Sequence, residues 1–269
     1  MARKVRVIDV TKCIGCKSCQ VACKNWNQLP AAQTTFTGSY ENPVDLMPQS
    51  WSRVKFNEHA SGGNVKWYFN FFSCMHCSDP ACTNICPVNA IHKTSLETVK
   101  IDQGTCIGCG LCKTACPFDV PRIGQITGKN ASWKCTSCFD RISNGMATAC
   151  ATACPTGTIT FGDEAEKLAA AEARVAELKS RGYTGAQLYG KEELGGLGVI
   201  YVLADSPDKY GLPVNPEVAL STYIWNVALQ PVKFLAAVGI TFGLMNSMIG
   251  KIAEKKNKKE DPEKIEIQS

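Results

Sequence analysis

The chain has 269 residues, 45% of them apolar, which suffices for one large domain or two smaller ones and excludes a disordered protein. Its formal net charge is +5, but residues 251–259 contribute five Lys against one Glu, so the remainder is nearly neutral. This balance gives no support to a nucleic-acid-binding function, and we predict no nucleic-acid partner.

Sixteen cysteines dominate the sequence, and they fall into four groups of four with none elsewhere. Groups one to four are Cys13, Cys16, Cys19 and Cys23; Cys74, Cys77, Cys82 and Cys86; Cys106, Cys109, Cys112 and Cys116; and Cys135, Cys138, Cys150 and Cys154. Fixed local spacing is typical of metal ligands rather than of disulfides. The basic N-terminal segment also runs into Cys13 without the apolar stretch of a signal peptide, which disfavours a secreted disulfide scaffold.

Group three has the spacing C-x2-C-x2-C-x3-C-P, by which bacterial-type ferredoxins hold a cubane cluster. Group one has the same cysteine spacing, while groups two and four carry insertions. Thiolates are soft ligands that match iron and sulfide. Gly15, Gly108 and Gly110 should relieve the steric demand where the loops turn, so that backbone N–H groups point at the sulfurs. The spacing predicts four 4Fe-4S clusters, with iron held by all sixteen cysteines.

Zinc is the main alternative occupant of these cysteines. Cys135 and Cys138, followed by Cys150 and Cys154, have the composition of a four-thiolate zinc site. Three of the four groups, however, end in Cys-Pro, which favours clusters over zinc at all four.

Between the cysteine groups the chain alternates strands and one long helix. The segments VKWYFNFF before Cys74 and TGTITFG after Cys154 predict strands, and KTSLETVKID predicts a short hairpin. Residues 163–182 predict a helix with Asp163 at its N-cap and Gly182 closing it. One stripe of this helix is apolar and should pack on the domain. The stripe consists of Leu168, Ala171, Val175 and Leu178.

The histidines and a glycine-rich stretch give no catalytic signal. His76 lies between two cysteines of a complete quartet, so we expect a role beside the ligands, or simple exposure, rather than ligation. His59 and His92 have no acid or nucleophile motif beside them, and we assign no catalytic residue. The glycines of GGLGVIYVL, residues 195–203, precede a strand instead of following one, which indicates a turn and not a dinucleotide site.

The C-terminal region predicts one transmembrane helix. Residues 229–250 carry only Lys233 as a charge. As a helix they would be about 33 Å long, which just spans a hydrocarbon core of about 30 Å. Tyr223 and Trp225 suit an interfacial belt, and the Lys-rich tail predicts a cytoplasmic C-terminus with the cluster domain on the periplasmic or outer face of the cell membrane. A buried helix with a solvated tail is the alternative.

The whole pattern resembles the iron-sulfur beta subunit of membrane-bound formate dehydrogenases. The resemblance is carried by DVTKCIGCKSCQVACKNWN, by ENPVDL followed by SW, by CIGCGLCKTACPFDVPR, by KCTSCFDRISNG followed by ACPTGTITFG, and by the membrane segment after them. More broadly, the chain is similar to the four-cluster subunits of the molybdopterin oxidoreductases. The resemblance covers nearly the whole chain, and it is more specific for this superfamily than for the substrate.

The resemblance implies that group one pairs with group four and group two with group three, in two ferredoxin-like halves. The implied ligand sets are set 1, Cys13, Cys16, Cys19 and Cys154; set 2, Cys23, Cys135, Cys138 and Cys150; set 3, Cys74, Cys77, Cys82 and Cys116; and set 4, Cys86, Cys106, Cys109 and Cys112. Cysteine fills every position, which argues against the nitrate-reductase-type beta subunits, where tryptophan replaces one ligand.

The expected fold is α+β, with two ferredoxin-like 4Fe-4S subdomains in pseudo-repeat and one C-terminal transmembrane helix. The expected divisions are 1–70, the first cluster motif and a connecting insertion; 71–123, an inner half with two clusters; 124–217, the fourth motif with a strand and helix completing the outer half; 218–251, the transmembrane segment; and 252–269, the cytoplasmic tail.

The expected function is electron transfer in anaerobic respiration, without a catalytic site of the chain's own. Electrons would pass from a formate-oxidising molybdopterin or tungstopterin alpha subunit, through four clusters, to a cytochrome b-type gamma subunit and quinone in the lipid bilayer. One alternative is the equivalent subunit of another molybdopterin or hydrogenase-linked respiratory complex. An alternative of a different class is a zinc-bound membrane scaffold.

Overall fold

The computed structural model describes residues 3–126 and 128–225, together with positions 245, 247–249 and 251. The strands are β1 (Lys4–Asp9), β2 (Arg53–Ser61), β3 (Asn64–Phe72), β4 (Ile91–Lys93), β5 (Val99–Ile101), β6 (Arg122–Gln125), β7 (Asn130–Trp133), β8 (Ile159–Asp163), β9 (Gln187–Tyr189) and β10 (Val199–Leu203). The α-helices are α1 (Ser18–Trp26), α2 (Ala81–Asn84), α3 (Leu111–Ala115), α4 (Phe139–Ile142), α5 (Ala149–Thr152), α6 (Glu164–Ser180) and α7 (Leu220–Ile224). Helices and strands thus mix along the chain, as expected for an α+β protein.

A four-stranded sheet with the order β8-β1-β10-β9 joins the two ends of the larger compact unit, Met1–Thr222. β1 pairs in parallel with β10 and antiparallel with β8. Successive side chains of a strand point to opposite faces. Val7 accordingly packs toward α6, while Ile8 lies in a core cluster with cysteines of groups one, two and four.

The long helix α6 covers one face of this sheet and follows the sequence prediction closely. Ala171 and Leu178 are buried against Val7, with Leu168 and Val175 packed beside them, so the predicted apolar stripe is confirmed. Asp163 occupies the N-cap position, but its carboxylate binds the Lys4 ammonium at 2.7 Å instead of capping the helix. The predicted strands before Cys74 and after Cys154, the predicted hairpin β4–β5 and the turn before β10 are also confirmed.

Short helices carry the later cysteines of each group. α1 contains Cys19 and Cys23 and packs against α5, which contains Cys150. α2 contains Cys82 and packs against α3, which contains Cys112. The fold therefore brings group one beside group four and group two beside group three.

Most of the predicted transmembrane segment, 218–251, and the whole of the predicted tail, 252–269, lie outside the described residues. In the parts of the chain that are described, no helix has the length and apolar character required to cross a membrane. The chain divides into the compact unit above and a second unit, Tyr223–Ser269.

Candidate metal centres

Each cysteine group begins with the same backbone turn. The residue directly before the second cysteine of every group has a left-handed conformation, with φ of 68° at Gly15, 49° at His76, 68° at Gly108 and 58° at Ser137. The glycines satisfy this requirement at no steric cost, as predicted, whereas His76 and Ser137 adopt it with a side chain. A common turn built from different residues indicates that the four loops present their cysteines in the same way.

Backbone N–H groups point at several sulfurs, as the loop geometry predicts. The amide of Ala90 donates to Cys86 Sγ at 3.3 Å, and that of Ser132 donates to Cys106 Sγ at 3.4 Å. The Thr148 hydroxyl lies 3.3 Å from Cys150 Sγ. Such contacts stabilise negative charge on sulfur.

Set 1 and set 4 each surround a small cavity, and the linings of both cavities are otherwise mostly apolar. The first cavity is lined by Cys13, Cys16, Cys19 and Cys154, with Val54, Phe71 and Ile159 beside them. The second is lined by Cys86, Cys106, Cys109 and Cys112, with Val88, Ile91 and Leu111 beside them. The turn at group one thus meets the end of group four, and group three meets the end of group two.

The four cysteines of set 2 also come together, although they are distant in sequence. Burial raises the pKa of the Cys23 thiol well above its ordinary value, and the neighbouring Cys135, Cys150 and Cys138 raise it further. All four are buried in the protein. Group one therefore supplies one cysteine to a cluster of thiols whose other members come from group four.

Set 3 forms in the corresponding manner. Burial raises the pKa of Cys77, and the adjacent Cys74, Cys116 and Cys82 add to the effect. Burial likewise raises the pKa of Cys116 to about 11. Thiols this close together resist losing their protons unless a positive charge compensates the thiolates.

Each set of cysteines lies beside the next one in number. Sets 1 and 2 are neighbours, because Cys150 of set 2 is close enough to raise the pKa of the buried Cys19 thiol of set 1. Sets 3 and 4 are neighbours as well, because Cys112 of set 4 raises the pKa of the Cys82 thiol of set 3. Arg6 connects the two halves, because one of its nitrogens, Nη1, lies 3.8 Å from Cys150 Sγ of set 2 while the other, Nη2, donates to the Cys74 carbonyl of set 3 at 3.0 Å. These neighbours link set 1 to set 2, set 2 to set 3 and set 3 to set 4, and we call this succession the row.

The residues present fit iron-sulfur clusters. Sixteen free thiols form quartets of soft donors, and iron would supply the positive charge that buried thiolates require. Among the described residues, Arg6 Nε and His76 Nε2 are buried donors without a hydrogen-bond partner, and both belong to side chains beside these cysteines. Sulfide is a suitable acceptor for such donors.

Single metal ions are a different case. Within the described part of the chain, no three or more His, Cys, Asp and Glu side chains converge in an arrangement that could hold one ion.

Sequence reasoning missed two charged residues of this region, Arg6 and Lys134, which are only 1% and 4% exposed. For Arg6 the signal was its position in the alternating strand KVRVID, where apolar residues on both faces imply that the arginine is buried too. His76 is buried as well, and its Nδ1 accepts from the Val99 amide at 3.0 Å. The expectation of simple exposure for His76 is therefore wrong, whereas that of a place beside the ligands agrees with the structure.

The sequence is similar to those of known iron-sulfur proteins over most of its length. Two overlapping matches to a 4Fe-4S dicluster domain cover residues 65–164 and 12–90. The chain is 42% identical to the nitrate-inducible formate dehydrogenase iron-sulfur subunit of Escherichia coli, over 93% of this chain and 85% of that one. It is 38% identical to the beta subunit of formate dehydrogenase 2 (cytochrome c-553) of Nitratidesulfovibrio vulgaris, over 77% of this chain and 96% of that one. It is also 36% identical to the B subunit of the anaerobic dimethyl sulfoxide reductase of Escherichia coli, over 66% of this chain and 82% of that one.

Proposed function

This protein belongs to the family of formate dehydrogenase iron-sulfur subunits, and on this premise we propose that it conducts electrons through a row of four 4Fe-4S clusters. It is a non-catalytic, electron-transfer subunit of an oxidoreductase complex. The observation that carries the proposal is the adjacency of successive cysteine quartets, from set 1 to set 2, set 2 to set 3 and set 3 to set 4.

Each quartet would hold one cluster: set 1 with Cys13, Cys16, Cys19 and Cys154; set 2 with Cys23, Cys135, Cys138 and Cys150; set 3 with Cys74, Cys77, Cys82 and Cys116; and set 4 with Cys86, Cys106, Cys109 and Cys112. The cavities lined by the four cysteines of set 1 and by the four cysteines of set 4 support this division. The mutual effects among the thiols of sets 2 and 3 support it for the middle of the row.

Electrons enter at one end of the row and leave at the other. Set 1 and set 4 each contain one exposed cysteine, Cys16 and Cys109, whereas set 2 is buried throughout. When bound, the clusters accept and release one electron at a time, which links a two-electron oxidation to stepwise acceptors. The protein contributes by excluding water, by donating N–H groups to sulfur and by holding the quartets in sequence.

The partner at one end is a molybdenum or tungsten pterin subunit that oxidises formate, in keeping with the names of the relatives. The partner at the other end is a cytochrome b-type membrane subunit that passes electrons to quinone. The uncharged stretch at 234–250 would anchor the chain in the bilayer, with the cluster domain on the periplasmic or outer face and the Lys-rich tail in the cytoplasm.

A second candidate function is electron transfer through the same four clusters in a complex whose catalytic subunit acts on another substrate. The likeness to the dimethyl sulfoxide reductase subunit favours it, because that relative differs from the others in the reaction named. Purified complex distinguishes the two: formate as electron donor reduces the clusters only if the catalytic partner is a formate dehydrogenase.

The variant Cys109→Ala tests the proposed path. Cys109 is an exposed member of the set at one end of the row, so its loss should interrupt transfer to or from a partner with little effect on the buried core. We expect formate-to-quinone electron transfer by the complex to fall by about 100-fold, because the row offers no parallel route. Formate oxidation with a dye that accepts electrons directly from the catalytic subunit should remain.

The matched control is Lys113→Ala, an exposed residue directly after Cys112 that is neither a cysteine of the set nor part of the lining of the set 4 cavity. It should keep most of the formate-to-quinone activity. Full activity in Cys109→Ala would contradict the proposed path, as would an equal loss in both variants.

A further inference from the structure

Two buried positive charges lie at the centre of the row of cysteines. Arg6 is 1% exposed and Lys134 is 4% exposed. A buried cation is stable only if negative charge or strong hydrogen-bond acceptors surround it. The identity of those neighbours therefore indicates what the two side chains are for.

Arg6 bridges set 2 and set 3. It projects from β1 on the face opposite Val7, toward the cysteines. Its guanidinium donates through Nη2 to the Cys74 carbonyl at 3.0 Å, and its Nη1 lies 3.8 Å from Cys150 Sγ. One side chain thus contacts a member of each of the two middle quartets.

Lys134 occupies the same border. Its ammonium donates to the carbonyls of Val99, at 2.5 Å, and Cys135, at 3.2 Å. Although burial works to lower the pKa of Lys134, the neighbouring Cys74, Cys82 and Cys135 raise it. The lysine therefore contacts Cys135 of set 2 through its carbonyl, and Cys74 and Cys82 of set 3 lie close enough to act on its charge.

No carboxylate neutralises either cation within the part of the chain that the structure describes. The ion pairs found there include neither Arg6 nor Lys134. The acceptors that remain are backbone carbonyls and cysteine sulfurs. The negative charge that balances these cations must come from thiolates and the clusters they bind.

The outer sets have a different environment. Lys113, in α3 directly after Cys112 of set 4, is 46% exposed and faces Asp119 at 4.0 Å. Lys17, directly after Cys16 of set 1, lies over the Phe56 ring at 5.1 Å and is only half-buried. Water screens such exposed charges, whereas a buried charge is screened much less.

Reduction of a cluster adds one negative charge, so a buried cation nearby stabilises the reduced form and raises the potential. We propose that the positive charges of Arg6 and Lys134 raise the midpoint potentials of the clusters in sets 2 and 3 above the midpoint potentials of the clusters in sets 1 and 4. This inference rests on the proposed four-cluster function. A higher-potential middle pair would hold both electrons of one substrate oxidation, one on each cluster, until the acceptor at the far end takes them singly.

The test compares Lys134→Met with the wild-type full-length protein in its native complex, by redox titration followed by EPR. Met keeps the approximate length of the side chain and removes the charge. At a fixed applied potential we expect the reduced-to-oxidised ratio of two couples to fall at least about tenfold, which equals about 59 mV for a one-electron couple. The other two couples should change by less than about threefold.

Two further variants identify the outer couples. Cys16→Ser and Cys109→Ser each alter one exposed ligand of set 1 or set 4, so the couples they shift belong to the outer clusters. The two couples whose midpoint potentials change in Lys134→Met must be the other two, which belong to sets 2 and 3. A shift of the outer couples instead would overturn the proposal.

Charge is separated from structure by two controls. Lys134→Arg keeps the positive charge and should leave the middle couples close to wild type, while a purely structural role would disturb them. Lys113→Met removes an exposed lysine beside a set 4 cysteine and should shift no couple by tenfold. If Lys134→Met does not load iron, Arg6→Gln, which retains donors for the Cys74 carbonyl, is titrated in its place with the same expected shift.

The outcomes also distinguish this inference from the function on which it rests. Four couples with an unshifted middle pair in the charge-removing variant would overturn the role of the buried cations and leave the electron path intact. Fewer than four couples in the wild-type complex would overturn the four-cluster function itself.

Discussion

The two ends of the cysteine row differ sharply from its middle. Both ends begin with the same four residues, Cys-Ile-Gly-Cys, at 13–16 and 106–109. Ile14 and Ile107 are 61% and 58% exposed, and the cysteines that follow them are exposed too. The middle contains buried sulfurs together with Arg6 and Lys134. Under the proposed function this difference separates two tasks: the exposed ends are suited to meeting partners, and the buried middle is suited to keeping electrons away from water.

Replacing one cysteine in the middle of the row and one at its end should reveal the largest difference between the two regions. Cys150→Ser replaces a buried sulfur that lies 3.8 Å from Arg6 Nη1, so the buried guanidinium loses one source of negative charge and keeps only the Cys74 carbonyl as a hydrogen-bond acceptor. We expect the free energy of unfolding to fall by about 5 kcal/mol and iron to be lost from more than one cluster. Cys16→Ser, at the exposed end, should keep iron at the other three sites.

Iron per chain and the temperature at which cluster absorbance is lost measure both effects. Equal losses in the two variants would mean that burial does not divide the row as described. Greater loss in Cys16→Ser would reverse the division.

A smaller effect should come from the backbone turns. At Gly108 φ is +68°, and an added Cβ would lie 2.8 Å from the Asn130 carbonyl oxygen. Gly108→Ala should therefore lower the free energy of unfolding by about 3 kcal/mol, from conformational strain and the clash together. Gly145→Ala is the control, because φ there is +75° and no atom lies within 4 Å; it should cost only about 1 kcal/mol.

Thermal loss of cluster absorbance again provides the measurement. Two alanine variants that melt together would show that the approach of Asn130 does not restrict the turn. A Gly108→Ala protein as stable as the wild type would contradict the left-handed turn itself.

Much of the fold could be predicted because the signals are local. The spacing within each cysteine group, the strand before Cys74 and the apolar stripe of α6 depend on neighbours a few residues apart. The pairing of β1 with β10 does not, since Val7 faces Ile200 across most of the chain. No short-range pattern encodes such a contact, and only the completed sheet reveals it.

The candidate site was predictable to a similar extent. Cysteine identity and spacing indicate the clusters, and the glycines at 15 and 108 indicate the turns. The burial of Lys134 could not be predicted, because lysine is normally exposed and only the long-range packing of sets 2 and 3 encloses it. The left-handed turn at Ser137 could not be predicted either, because serine, unlike glycine, is not typical of this conformation.

The presence of four clusters is tested most directly by the content of iron, sulfide and zinc in the anaerobically purified full-length protein, with EPR spectra recorded during a redox titration. Four cubane clusters predict about sixteen iron and sixteen sulfide per chain, with several interacting signals on reduction. About four zinc per chain, without any such signal, would contradict the electron-transfer account.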